Sequence, residues 1–319
     1  MKFINFTNKM ISSLKTYNLK VSTRGLNFIS IDTKDKPYVV NLFDDEKYIS
    51  SKFLPEEIEN EIKTYPKILS VRVDNLDYYF YGKGQDKKYL LKIIKSLSII
   101  NNYLKVATKK ESKIIKIVIY LSPFKKEFSG EIVKPVNINS GLTQNQEKIF
   151  LFREEEWTKV LIHELIHAYS FDNYKFITND LIDGEDYPYE AITEFYAILL
   201  HSKWISIISG IDYNKILKNE IRFSILQCLK LLKFLGITSR KEFVNFGKLG
   251  IKMESSAFSY YLLKTEFLIH FCKYKDDLLK KELPNYNLKD FKILKYIKYI
   301  NDIDFDNNAR MSLFQIKLY

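Results

Sequence analysis

A chain of 319 residues with 46% hydrophobic and 15% aromatic content has ample apolar material for a folded core, which excludes a disordered tail or linker protein. Its net charge of +11 comes mainly from scattered lysines, with denser groups at Lys109, Lys110, Lys113 and Lys116 and at Lys289, Lys292, Lys295 and Lys298. The second group alternates with Phe291, Ile293, Leu294, Ile297 and Ile300 at roughly helical spacing, so it reads as a solvated face, and specific nucleic-acid binding is not expected. No uncharged apolar run reaches the roughly 18 residues that a membrane helix needs, so no membrane span is expected. Met1 to Lys20 carries four lysines among scattered apolar residues and does not read as a signal peptide. Cys228 and Cys272 each lie in apolar helical sequence and read as reduced core thiols; a cytoplasmic setting follows.

In chain order, Pro55 to Lys63 predicts a short acidic helix, Ile68 to Val73 and Tyr78 to Tyr81 predict strands, and Asp86 to Ala107 carries Leu90, Ile93, Ile94, Leu97, Ile100 and Leu104 at helix spacing. Ile114 to Leu121 predicts another strand. A polar stretch rich in Ser, Gly and Asn reads as loop as far as Gln146, and Lys148 to Arg153 then predicts a strand. A helix follows almost at once, with Glu154, Glu155 and Glu156 placed to complement its dipole. Beyond Asp186 nearly everything reads as helix. The fold class is α+β, divided as a mixed α/β region over 1–110, a core over 111–210 and a helical region over 211–319.

Residues 161–169 read Leu-Ile-His-Glu-Leu-Ile-His-Ala-Tyr, the HExxH signature of zinc peptidases. At 3.6 residues per turn, His163 and His167 share one helix face, so two imidazoles converge on one ion with Glu164 beside them. Val160, Leu161, Ile162, Leu165, Ile166, Ala168 and Tyr169 make the helix apolar nearly all round, which predicts burial. Buried imidazoles and a buried carboxylate need partners. The alternative is a pair of core histidines with Glu164 as a helix-surface charge. In zinc peptidases a strand near the metal pairs with an extended substrate through main-chain hydrogen bonds. Residues 149–153, with Phe150, Leu151 and Phe152, are the candidates, an ordinary internal strand being the alternative.

A third histidine six residues after His167 is absent, because Ser170 and Asn173 stand at the turn and ligand positions of that pattern. A later segment reads Pro188-Tyr-Glu-Ala-Ile-Thr-Glu194, placing Glu190 and Glu194 on one helix face, with Pro188 in the first turn and Asp186 as its cap. HExxH followed by Glu190-Ala-Ile-Thr-Glu194 resembles the gluzincins, the thermolysin-like group, whose second helix bears Glu-x-x-x-Asp. The resemblance implies a zincin-like core with a small sheet packed on the HExxH helix, and one Zn2+ per chain held by His163, His167 and Glu190. It also implies that Glu194 accepts a hydrogen bond from a ligand histidine. Glu in place of the usual Asp is a departure; in the reversed order, Glu194 would bind metal and Glu190 would be spare. His201 lies about 16 Å beyond Glu190 along a continuous helix and cannot share its metal. Over about residues 115–270, Val136-Asn-Ile-Asn-Ser-Gly-Leu-Thr143 and Phe150-Leu-Phe-Arg-Glu-Glu-Glu-Trp-Thr-Lys-Val160 also resemble zincin-like proteins of nucleocytoplasmic large DNA viruses. Abundant Ile, Lys, Asn, Tyr and Phe, favoured by an AT-rich genome, agree with that.

Such a site keeps one coordination position for water, with Glu164 as the general base that passes the proton to the leaving amine. His270, Tyr260 and Tyr261, on a helix read from Ser255 to Cys272, are the candidate donors to the developing oxyanion. The expected activity is hydrolysis of a protein or peptide substrate. Two alternatives stay open: an inactive zincin fold kept as a structural or virion-associated protein, and a regulatory module that binds a virion or host protein.

Overall fold

The computed structural model describes residues 54, 56–110, 113–174, 189–245, 255–279, 287–303 and 306–315. Met1 to Lys20, Asp186 and Pro188 lie outside the described residues. The fold is α+β, with one mixed five-stranded sheet. Two compact units divide the chain: one holds the sheet and the HExxH helix, within the segments ending at Lys125 and Asn139–Phe171, and the other contains Lys126–Ile138 and Asp172–Phe314.

In the sheet unit, helix α1 (Glu56–Ile62) has three acids in its first turn and buries Ile58 and Ile62. Strand β1 (Lys67–Val73) buries Leu69, Val71 and Val73 in alternation, as a strand covered on one face does. Strand β2 (Leu76–Tyr81) leads to helix α2 (Lys87–Thr108), which is capped by Asp86 and buries the six apolar residues its spacing predicts. Strand β3 (Ile115–Tyr120) follows. The stretch read as loop up to Gln146 instead contains a short helix that belongs to the other unit, α3 (Pro135–Ile138), and a strand of the sheet, β4 (Gly141–Gln144). Strand β5 (Lys148–Leu151) then precedes the HExxH helix α4 (Trp157–Ala168).

The strand order is β1-β2-β3-β5-β4, with β2, β3 and β5 parallel and the outer strands β1 and β4 each antiparallel to their neighbour. This order corrects the reading of residues 149–153 as a substrate-pairing edge. β5 is hydrogen-bonded to β3 on one side and β4 on the other, so it has no edge to offer. Phe150 and Phe152 point into a buried cluster with Ile58, Ile62, Val118 and Tyr120, and Leu151 is fully buried. The other sheet face carries α4: Phe80 of β2 meets Trp157 edge-on at 5.6 Å. Gly141 of β4 lies so close that an added Cβ would sit 2.9 Å from the Phe150 carbonyl oxygen and 3.0 Å from a Val160 methyl.

In the helical unit, α5 (Tyr189–Ser209) buries every residue from Glu190 to Ile205. It packs on α6 (Tyr213–Phe234), whose free Cys228 is fully buried, so its thiol is pushed well above the ordinary range. Helix α7 (Arg240–Val244) opens with a capping box between Ser239 and Glu242. The single helix expected over Ser255 to Cys272 is broken into a π-helical turn at Phe258–Leu263, α8 (Lys264–Ile269) and α9 (Phe271–Leu279). The lysine-rich segment near residue 290 folds as 3-10 turns, with Phe291, Ile293, Ile297 and Ile300 buried and Lys289, Lys292, Lys295 and Lys298 exposed as read. No described helix is long and apolar enough to cross a membrane.

Candidate metal centre and active site

Helix α4 owes its position to both of its ends. At its start, Arg153 donates to the carbonyls of Asn139 (3.1 Å) and Lys125 (2.6 Å), and Ser122 donates to the Phe152 carbonyl (2.6 Å), which fixes the β5–α4 junction. Glu156 occupies the cap position in a left-handed conformation (φ 58°) with no capping side-chain bond. Of the three acids read as complementing the dipole, Glu155 and Glu156 are buried. At the far end Ser170 takes φ 50°, and the Phe171 amide returns to the Ile166 carbonyl at 2.9 Å, closing the helix as a left-handed residue allows. Lys110, from one of the basic groups, places its ammonium 2.7 Å from Ser170 Oγ, where the helix dipole favours a cation.

Tyr169 anchors this end through a buried polar network absent from the sequence reading. Its hydroxyl donates to Asn101 Oδ1 (2.6 Å) on α2 and accepts from Asn75 Nδ2 (2.9 Å), while Asn101 donates to Asn75 Oδ1 (3.0 Å). Three buried polar side chains satisfied by one another fix the helix more sharply than apolar packing would.

On α4 the Nε2 atoms of His163 and His167 lie 3.0 Å apart, with the rings at 77°. Two nitrogens each about 2.0–2.1 Å from one tetrahedral ion would be about 3.3 Å apart, so the pair stands within a few tenths of an ångström of chelating geometry. Glu164, one residue on, is buried, and its Oε2 accepts from Thr143 Oγ1 at 2.7 Å. Thr143 stands on β4, the edge strand hidden inside the polar stretch.

On α5, Glu190 and Glu194 share one face and are both buried. Their neighbour Thr193 donates to Asp172 Oδ2 at 3.0 Å. His201 is fully buried against Trp204, with ring centroids 5.6 Å apart. Two imidazole nitrogens converging from one helix are the histidine part of a donor set suited to catalytic zinc.

The candidate oxyanion donors lie in the helical unit, where Tyr261 and His270 have partners of their own. Tyr261 is fully buried and donates its hydroxyl to the Ala309 carbonyl; the Tyr260 side chain is half-buried. His270 ends α8, and its Nδ1 lies 3.1 Å from Glu266 Oε1, while Glu266 Oε2 accepts from the Lys292 amide at 2.7 Å. Burial pushes the Glu266 carboxyl up to about 7, although the Ile293 and Lys292 amides oppose the shift. Burial, with Lys292 and Lys273 nearby, holds His270 below its usual value. Both shifts favour the uncharged forms of the pair.

Glu266 thus links folding to pH with a definite sign. Its folded value of about 7 exceeds its ordinary 4.5, so the stability it contributes is complete below 4.5 and lost as pH rises through about 7. Thermal unfolding of Glu266→Gln, whose amide keeps one donor and one acceptor, is expected to fall less between pH 5 and pH 8 than that of the wild type. Equal slopes would contradict this.

No family model matches the chain. No solved structure matches it either. The chain is similar to an uncharacterised protein of Acanthamoeba polyphaga mimivirus, 27% identical over 180 residues, which cover 51% of this chain and 47% of that protein. The match therefore spans about half the length of that relative.

Proposed function

We propose that this chain is a zinc-dependent metallopeptidase of gluzincin type, with His163, His167 and Glu190 as metal ligands and Glu164 as general base. The observation that carries the proposal is the pair of imidazole nitrogens 3.0 Å apart on a buried helix, with a buried glutamate next to the first. Two neutral imidazoles at that distance share an N–H···N hydrogen bond, and the same convergence of nitrogens on a helix next to a buried glutamate is what a chelating pair requires. The burial of Glu190 on α5, in the Glu190-Ala-Ile-Thr-Glu194 spacing, supports it as the third ligand.

Zinc, when bound, supplies Lewis acidity that makes water a nucleophile near neutral pH and polarises the scissile carbonyl. The remaining steps belong to the protein. Glu164, with Oε2 held by Thr143, takes the proton from water and delivers it to the departing amine. Glu194, one turn beyond Glu190, is the carboxylate proposed to orient a ligand histidine. The free edge of β4 replaces residues 149–153 as the main-chain partner for an extended peptide, since β4 ends the described sheet beside α4. The similarity to a mimivirus protein supports a viral setting, with action in the cytoplasm of an infected cell on a viral or host protein.

Cleavage of a quenched-fluorescence peptide library tests the reading. Hydrolysis is expected to stop on treatment with 1,10-phenanthroline and to return on adding zinc. Hydrolysis that survives complete metal removal would overturn it.

A further inference from the structure

We infer that Thr143 is the positioning residue that holds the Glu164 carboxylate for proton transfer, an inference that rests on the metallopeptidase reading above. Its Oγ1 lies 2.7 Å from Glu164 Oε2 and 3.0 Å from the Glu164 carbonyl oxygen. The shorter contact is to the side chain, and a hydroxyl bonded to an ionised carboxylate is stronger than one shared with a neutral carbonyl.

The local sequence of β4 is arranged for this contact. Successive strand residues face opposite ways, so Gly141 and Thr143 point toward α4 while Leu142 packs in the Phe150 cluster on the other face. Gly141 lets the strand approach the helix to a distance that no side chain would tolerate, because a Cβ would stand 2.5 Å from a Leu151 methyl and 3.0 Å from a Val160 methyl. Two residues along the strand, and one helical turn beyond Val160, Thr143 meets Glu164. The pairing of Gly141 with Leu151 and Thr143 with Ile149 fixes that register.

A glutamate has three side-chain torsions, and a general base must sit within a fraction of an ångström of the proton it takes. A displacement of about 1 Å can cost on the order of 100-fold in rate. Binding Oε2 to a rigid, β-branched residue on a strand removes that freedom. Thr143 also joins the edge proposed to carry substrate to the base that acts on it, so strand and base keep one spacing.

The test compares Thr143→Val and Thr143→Ser in the full-length, zinc-loaded protein. Valine keeps the shape and the strand preference, and serine keeps the hydroxyl. Thr143→Val is expected to lower kcat by about 10- to 100-fold with KM, zinc content and Tm nearly unchanged, and Thr143→Ser to recover to within about threefold of wild type. In crystals of metal-free Thr143→Val, the Glu164 side chain is expected to leave its single wild-type position. Unchanged kcat in Thr143→Val, an equal loss in Thr143→Ser, loss of zinc, or an unmoved Glu164 would overturn the inference. Glu164→Gln separates this from failure of the underlying reading: an inactive Glu164→Gln beside a fully active Thr143→Val removes the positioning role alone, whereas an active Glu164→Gln removes both.

Discussion

Glu164→Gln is expected to lower kcat by about 100- to 10,000-fold, the range over which a positioned general base contributes. The amide is nearly isosteric with the carboxylate and still accepts a bond from Thr143, so the fold and the Thr143 contact should persist. What it loses is basicity, because a neutral amide cannot take a proton from water at neutral pH. Glu164 is not one of the three proposed ligands, so the zinc content of the variant is expected to match that of the wild type. Kinetics with one peptide, paired with elemental analysis, check both statements. A variant that is active, or one that is inactive only because it is metal-free, would move Glu164 out of the base role.

His163→Ala is expected to reduce bound zinc from about one per chain to less than about a tenth after dialysis against micromolar zinc. Removing one of three protein ligands leaves two, and the remaining donors cannot complete a tetrahedral site. A second readout is thermal. A ligand that binds only the folded state stabilises it by about 2.7 kcal/mol at 100 times its Kd, so zinc should raise the Tm of the wild type and leave His163→Ala unmoved. The same measurement orders the two glutamates of α5. Glu190→Gln is expected to behave like His163→Ala, whereas Glu194→Gln is expected to keep zinc with an affinity weakened by about 10- to 100-fold. The opposite order would make Glu194 the ligand.

Much of the fold is written in periodicity. Helix α2 shows its six apolar residues at helix spacing, and β1 and β3 are β-branched runs of ordinary length. Strand β4 escaped this reading for a physical reason. It is four residues long, half-buried throughout and begins with glycine, so Gly141-Leu-Thr-Gln144 has the composition of a turn, and only pairing with β5 makes it a strand. The mistaken choice of β5 as the substrate edge has the same origin. Ile149-Phe-Leu is apolar on both faces, and that pattern marks an interior strand covered on both sides, not an edge.

The HExxH helix and the buried acids of α5 were readable because their chemistry is encoded in short spacings on single helices. Thr143 and the Asn75–Asn101–Tyr169 network were not, because each joins residues far apart in sequence, 21 positions for Thr143 and Glu164 and 94 for Asn75 and Tyr169. His270 looked like a residue on a continuous helix. In the structure α8 ends at His270, and Glu266 on the same helix reaches the Lys292 and Ile293 amides, partners that no local pattern announces.

The central claim is that His163, His167 and Glu190 hold a metal ion, and elemental analysis of the purified wild-type chain tests it most directly. After expression in zinc-replete medium and dialysis, the account predicts about one zinc per chain. Protein that is folded and metal-free under those conditions would contradict it.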